Sequence, residues 1–258
     1  MTPSFRAATF DIDGTILDRN PNFRFPPDGH LILDGQMVKI NPTFVPTDDT
    51  LVNLREAVGS INPATGFPVG RDHDYQCRVM HEISFAEHLR LQFEDVLDHI
   101  SVDQCIELAA LTMVPKPGAR TLMRKLTRHN VVPVFATNGA DLIAHSVLCR
   151  FFGDILGTPS LVANKIVDGK FRELHGENGL DKDIVVRNLG NVVLFAGDSG
   201  RGDGPGAKAT AELGGHVLAV GHQGPGSLYH YCQKNLPVGT WSALTSYRRG
   251  GRRRYKAA

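Results

Sequence analysis

The sequence predicts an α/β protein, a parallel sheet covered by helices on both faces and interrupted by an inserted segment. Three observations carry this expectation. Short apolar runs end abruptly in polar or glycine residues, helical patterns lie between the later runs, and the alternation fails over a long stretch of the first half.

The first run, Ala7 to Phe10, reads as a buried strand and ends in Asp11-Ile12-Asp13-Gly14-Thr15. From Leu17 to Pro115 no parallel strand is expected, because Pro21, Pro26, Pro27, Pro42, Pro46, Pro63 and Pro68 crowd that region. Within it, Leu31 to Ile40 reads as a hairpin turning at Asp34-Gly35, and Phe85 to Leu97 and Val102 to Leu111 read as amphipathic helices. Three more strand-like runs follow, Val131 to Phe135, Asn191 to Phe195 and His216 to Val220, which end in Ala136-Thr137-Asn138-Gly139, Ala196-Gly197-Asp198-Ser199 and Gly221. Helices are expected over Ala119 to Arg128, Asp141 to Phe152, Lys182 to Leu189 and Ala207 to Leu213, punctuated by Pro117 and Gly214-Gly215. In such a sheet ligands gather beyond the carboxyl ends of the strands, where the polar exits fall. The expected division is a core of 1–17 and 115–247, an inserted, mainly helical cap of 18–114, and a disordered basic tail of 248–258.

Composition removes whole classes. The chain has 258 residues, 41% hydrophobic and 21% charged, enough for a real core and unlike a disordered acidic chain. The formal charge of +1 hides an asymmetry. Arg248, Arg249, Arg252, Arg253, Arg254 and Lys256 are six of the 28 basic residues, so the other 22 face 27 acidic ones in a mildly acidic body. No run approaches the roughly 18 to 20 apolar residues of a membrane helix, and the N-terminus lacks a leader pattern, so a cytoplasmic protein without a membrane partner is expected. Cys77, Cys105, Cys149 and Cys232 are scattered and read as reduced thiols.

Other motifs carry less. The run from Gly200 to Lys208 lacks the G-K-[ST] ending of a P-loop. His30, His73, His81, His88 and His99 show no H-x-x-x-H pair and read as surface or packing residues. The arginine tail reads as a solvated arm, and the composition does not suggest a nucleic-acid partner.

The polar exits suggest phosphoryl chemistry. Asp11 and Asp13 reach one site only if the chain turns after Asp11, and Gly14 permits that turn. A carboxylate can attack phosphorus to form an aspartyl phosphate, while a second protonates the leaving alcohol and later activates water; these roles are assigned to Asp11 and Asp13. Thr137, Asn138 and Gly139 at a strand-to-helix turn offer donors to phosphate oxygens, and a lysine would neutralise developing charge. Asp198 and Asp203 offer hard oxygen ligands for Mg²⁺.

Asp11-Ile12-Asp13-Gly14-Thr15, Thr137-Asn138-Gly139, a lysine, and Gly197-Asp198-Ser199-Gly200-Arg201-Gly202-Asp203 occur in the order of the four motifs of the haloacid dehalogenase-like hydrolases, and the chain resembles that family. The resemblance implies a Rossmann-like core with an inserted cap and a Mg²⁺-dependent phosphatase acting on a small phosphorylated metabolite. It implies that Asp11 attacks and also binds metal, that Asp13 lends a backbone carbonyl to the metal, and that Asp198 is the direct carboxylate ligand. Asp203 would act through water or by orienting the lysine. Lys182, opening a predicted helix, is the favoured lysine, with Lys165 and Lys170 as alternatives. Asp13 argues against the dehalogenase branch, where no alcohol leaves.

Phe85 to Phe93 with the following helix and Pro117-Gly118-Ala119 looks like the phosphoserine phosphatase-like branch. Gln92 stands where that branch has a carboxylate-binding arginine and Asn20 near its acidic residue, which disfavours phosphoserine itself unless Arg90 substitutes. Arg71, Arg78 and Arg90 are further candidates for substrate contact, though each reads more simply as a solvent-facing charge. Two other readings remain open at this point, phosphoryl transfer to an acceptor other than water, as in a phosphomutase, and a non-catalytic binding protein using the tail.

Overall fold

The computed structural model describes residues 6–172, 176–233 and 236–240; the basic tail lies outside them. Its centre is a seven-stranded sheet in the order β11-β10-β9-β1-β6-β7-β8. The strands are β1 (Arg6–Phe10), β6 (Val131–Ala140), β7 (Ser160–Val167), β8 (Lys170–Arg172), β9 (Val192–Gly197), β10 (His216–Ala219) and β11 (Val238–Thr240). Every pair is parallel except β7 with β8. From β1 the chain builds β6 and β7 on one side, then returns to build β9, β10 and β11 on the other. That reversal makes the carboxyl end of β1 a switch point with room for a ligand.

Alternation along the strands splits the apolar contacts between two faces. Phe10, Phe135 and Ala196 join one buried cluster, Ala7, Val134 and Phe195 the other. On the first face lie α5 (Ala119–Arg128) and α6 (Asp141–Leu156), where Phe135 packs between Phe10 and Phe152 with ring centroids 6.0 and 6.5 Å away. On the second lie α7 (Lys182–Leu189), α8 (Gly200–Glu212) and α9 (Leu228–Gln233).

Between β1 and α5 the chain contributes no strand to this sheet. It leaves through β2 (Leu17–Arg19) and returns through β5 (Met113–Pro115), and these two pair antiparallel as a neck. Between them lie the hairpin β3 (His30–Leu33) and β4 (Gln36–Lys39), then α1 (Thr50–Val58), α2 (Val69–Tyr75), a π turn at Gln76–Met80, α3 (Phe85–Leu97) and α4 (Val102–Thr112). Asp34 and Gly35, with φ of 48° and 70°, form the two-residue turn that the hairpin twist favours. Ser84 caps α3 through the Glu87 N–H, and Ser101 with Gln104 forms a reciprocal capping box on α4. Phe93 of α3 stacks on Phe171 of β8 at 4.7 Å, which ties the insertion to the sheet edge.

Several local expectations change. Helix α8 begins at Gly200 rather than Ala207, because Ser199 caps it by accepting from the Gly202 N–H, and Pro205 lies within its opening turns. Its glycines permit close packing: a Cβ on Gly206 would lie 2.6 Å from the Phe195 ring and 3.0 Å from Cβ of Lys182. Strand β6 continues to Ala140 with a register shift after Ala136, so Thr137-Asn138-Gly139 is an irregular strand end rather than a helix turn. The segment around Lys165 and Lys170, for which the sequence predicts no element, forms the β7–β8 hairpin, and α1 and α2 emerge from the proline-rich stretch. All four cysteines are free thiols, and no described helix is long and apolar enough to cross a membrane.

Candidate active site

Three adjacent strands, β9, β1 and β6, deliver the polar exits to one end of the sheet. The Asp11 N–H donates to the Ala196 carbonyl at 3.0 Å, continuing the ladder one residue past β1. The chain then turns as the Thr15, Ile16 and Leu17 N–H groups converge on the Ile12 carbonyl. Gly14 sits in this turn at φ 69°, and a Cβ there would lie 2.5 Å from Oδ2 of Asp198. Glycine is therefore required twice, for the left-handed backbone and for the approach of the two carboxylate-bearing loops.

Lys182, 3% exposed at the start of α7, donates at 2.6 Å to both Oδ1 of Asp11 and Oδ1 of Asp203. Lys165 and Lys170 are exposed on the β7–β8 hairpin, so of the three candidate lysines Lys182 reaches the carboxylates. Asp203 is 1% exposed and fully engaged, since its Oδ2 also accepts from the Asp198 and Ser199 N–H groups at 3.0 and 2.9 Å. It braces the loop after β9 and holds the lysine. Asp11 also accepts from the Thr15 hydroxyl at 3.3 Å.

Ligand oxygens of Asp11, Asp198 and Asp203 lie within 4.8 Å of one another. Burial raises Asp11 to about 6, against the lowering by Lys182, and Asp203 adds to the rise. Burial followed by the Asp11 and Asp203 charges pushes Asp198 up to about 8. Burial alone would lower the Lys182 amine, but Asp11 and Asp203 outweigh it and the net shift is upward. Three carboxylates facing one ammonium leave a negative excess, and an all-oxygen donor set suits a hard divalent cation.

Asp13 is not one of these three carboxylates, although the Asp11 charge acts on it. Its Oδ1 accepts from the Thr50 hydroxyl at 2.5 Å and the Thr50 N–H at 3.3 Å, at the start of α1. Burial, then the neighbouring Asp49 carboxylate, hold its carboxyl well above the usual range.

Thr137 is buried, and its hydroxyl accepts from the Gly139 N–H at 3.0 Å. The side-chain oxygen of Asn138 accepts from the Leu180 N–H at 2.6 Å, and its backbone carbonyl from the Asn164 amide at 2.8 Å. Asn138 thus fixes the segment that leads into Lys182. Asp11, Asp13, Thr137, Asn138, Gly139, Lys182, Asp198 and Asp203 all line one cavity of about 950 Å³.

The insertion lines the same cavity with Arg55, Asp74, Arg78, His88 and Gln92. Their charged groups pair with one another, while Oε1 of Gln92 is buried without a hydrogen-bond partner among the described residues. Arg55 meets Asp74 at 2.8 Å, while Arg78 and His88 each approach it at 3.1 Å, and Asp74 is held well below the carboxylate range despite its burial. Arg71 is turned to Glu56, and Arg90 to Glu87 and Glu94 on its own helix; neither lines the cavity. Asn20 bonds the Leu111 carbonyl near the neck instead. Asp48, Thr50, Arg55 and Asp74 were not singled out from the sequence, although Asp48-Asp49-Thr50 before Leu51 is a helix-start signal.

The model of the haloacid dehalogenase-like hydrolase family matches residues 5–210. Among solved structures, a phospho-aspartyl intermediate analogue of phosphoserine phosphatase is 15% identical, covering 83% of this chain and 85% of that one, with a TM-score of 0.48. Cytosolic 5'-nucleotidase IIIB bound to cytidine is 14% identical over 84% and 73%, with a TM-score of 0.47. A dehalogenase is 17% identical over 96% and 97%, with a TM-score of 0.46. No curated protein matches the sequence.

Proposed function

The chain belongs to the haloacid dehalogenase-like hydrolases, and from that premise we propose that it is a phosphatase which hydrolyses a phosphomonoester of a small metabolite through an aspartyl phosphate. The observation that carries this reading is the buried Lys182 bridging Asp11 and Asp203 beside Asp198, with Asp13 held by Thr50 in the same cavity.

Asp11 attacks phosphorus, its Oδ–P bond forms, and the bond from phosphorus to the leaving oxygen breaks. Asp13 gives its proton to that oxygen, then takes one from a water whose oxygen bonds to phosphorus as the Asp11 Oδ–P bond breaks, which releases phosphate and restores the Asp11 carboxylate. Lys182 spreads positive charge over the nucleophile and the phosphoryl group, and Thr137, which lines the same cavity, would donate its hydroxyl to a phosphoryl oxygen. Asp11, Asp198 and the carbonyl of Asp13 would hold Mg²⁺, with Asp203 bracing Asp198. When bound, the ion offsets phosphate charge that the carboxylates would otherwise repel.

Residues 18–114 serve as the cap that selects substrate. Because Asp74 already engages Arg55 and Arg78, and Gln92 carries no charge, the preferred leaving group lacks a carboxylate. The test is phosphate release from an aryl phosphate with Mg²⁺, by the wild type and by Asp11→Asn. The variant should keep its fold and lose turnover; equal rates would refute the assignment. Phosphorylated acceptor formed in place of free phosphate would mark a transferase instead.

A further inference from the structure

We infer that Thr50 is a positioning residue for the acid/base step, fixing which oxygen of Asp13 exchanges the proton; this rests on the phosphatase reading above. Thr50 lies 37 residues beyond Asp13, in the insertion rather than on the sheet. Its hydroxyl and backbone N–H both point at Oδ1 of Asp13, at 2.5 and 3.3 Å. Oδ1 is therefore occupied as an acceptor, and Oδ2 is the oxygen left to carry and return the proton.

The hydroxyl is delivered by a braced segment. The Gly14 N–H donates to the Asp48 carbonyl at 2.9 Å, which ties the 46–50 strap to the turn after β1. Fully buried Asn53 clamps the same strap, accepting from the Thr47 N–H at 2.7 Å and donating to the Thr47 carbonyl at 3.0 Å. Asp49 caps α1 through the Val52 N–H, so Thr50 is the first helical residue and its N–H is among those a helix leaves unpaired. Asp13 satisfies that N–H from outside the helix.

The chemistry follows from the donors. As the proton moves from Oδ2 of Asp13 to the leaving oxygen, negative charge appears on the carboxylate, and a hydroxyl aimed at Oδ1 stabilises it. In the second half-reaction the same bond keeps Oδ2 directed at the attacking water. Because the donors sit on the insertion, proton transfer depends on the insertion being seated.

The discriminating measurement is kcat/KM for Thr50→Val and Thr50→Ser on a series of phosphomonoesters whose leaving alcohols differ in acidity. An acidic phenol leaves without a proton, whereas an alkyl alcohol needs one. Thr50→Val should lose on the order of tenfold or more with alkyl phosphates and about threefold or less with nitrophenyl phosphate. Thr50→Ser should recover most of the alkyl activity, and the melting temperatures show whether each variant stays folded. An equal loss across the series, or none, would overturn the inference alone. If Thr50→Val does not fold, Thr50→Cys takes its place against Thr50→Ser, and a loss for Thr50→Cys that is no greater with alkyl phosphates than with nitrophenyl phosphate overturns it. Absence of turnover by the wild type on every ester would overturn the phosphatase reading and this inference with it.

Discussion

The strand-end cluster and the insertion both place charged side chains in one cavity, yet they treat charge differently. At the ends of β1 and β9, Asp11, Asp198 and Asp203 share the single ammonium of Lys182, so the site holds a negative excess. In the insertion Asp74 has Arg55 and Arg78, Glu56 has Arg71, and Arg90 has Glu87 and Glu94. The first region carries a negative excess of a kind that suits a hard cation; in the second, Asp74, Glu56 and Arg90 each meet opposite charge, and the acidic side chains left over, Asp48 and Asp49, lie beside Asp13 at the cavity. Unbalanced buried charge is costly, and it persists where chemistry uses it.

Removing the buried ammonium of Lys182 should do most damage. Lys182→Met strands Asp11 and the buried Asp203 without a counter-charge, and we expect kcat to fall at least about a thousandfold with stability lower by roughly 3–5 kcal/mol. Steady-state assay and chemical denaturation test the two parts separately. Gly14→Ala should come next, since its Cβ would collide with Asp198 from a left-handed backbone. A loss of about 1–2 kcal/mol is expected from the backbone alone, with turnover reduced further through the displaced carboxylate.

The charge imbalance also predicts a pH dependence. Asp11 and Asp198 bind protons more tightly in the folded chain, at about 6 and about 8, than in the unfolded one. In cation-free protein their stabilising contribution is full below the ordinary carboxylate range near 4 and is lost as pH rises through about 6 to 8. The melting temperature should fall across that window, and Mg²⁺ should raise it more at pH 8 than at pH 5. A cation effect independent of pH would contradict the imbalance. The smallest effect belongs to the insertion: Arg90→Ala removes half-exposed helix pairs and should change stability by under about 1 kcal/mol, leaving KM unchanged. A large rise in KM would bring Arg90 into the cavity and break the contrast.

The two regions also differed in how far the sequence revealed them. Asp11, Asp198 and the Lys182 helix stood out because buried strands end where polar chemistry begins, a boundary that local composition records. The start of α8 was hidden because glycines such as Gly206, needed there for close packing against Phe195 and Lys182, look locally like a loop. Strand β8 is three residues long and β7 alternates weakly, so the sheet edge carried little periodic signal. In the insertion, prolines masked α1 and α2, and the contacts of Thr50 with Asp13 and of Arg55 with Asp74 join residues far apart in sequence. No local pattern encodes such pairs; only the folded chain brings them together.

Acid quenching during steady-state turnover of a phosphomonoester, followed by peptide mapping, tests the covalent route most directly. One phosphoryl group should appear on the peptide containing Asp11, labile to hydroxylamine as an acyl phosphate is, and should be absent from Asp11→Asn. Sustained phosphate release with a phosphoryl group on another residue would contradict the account.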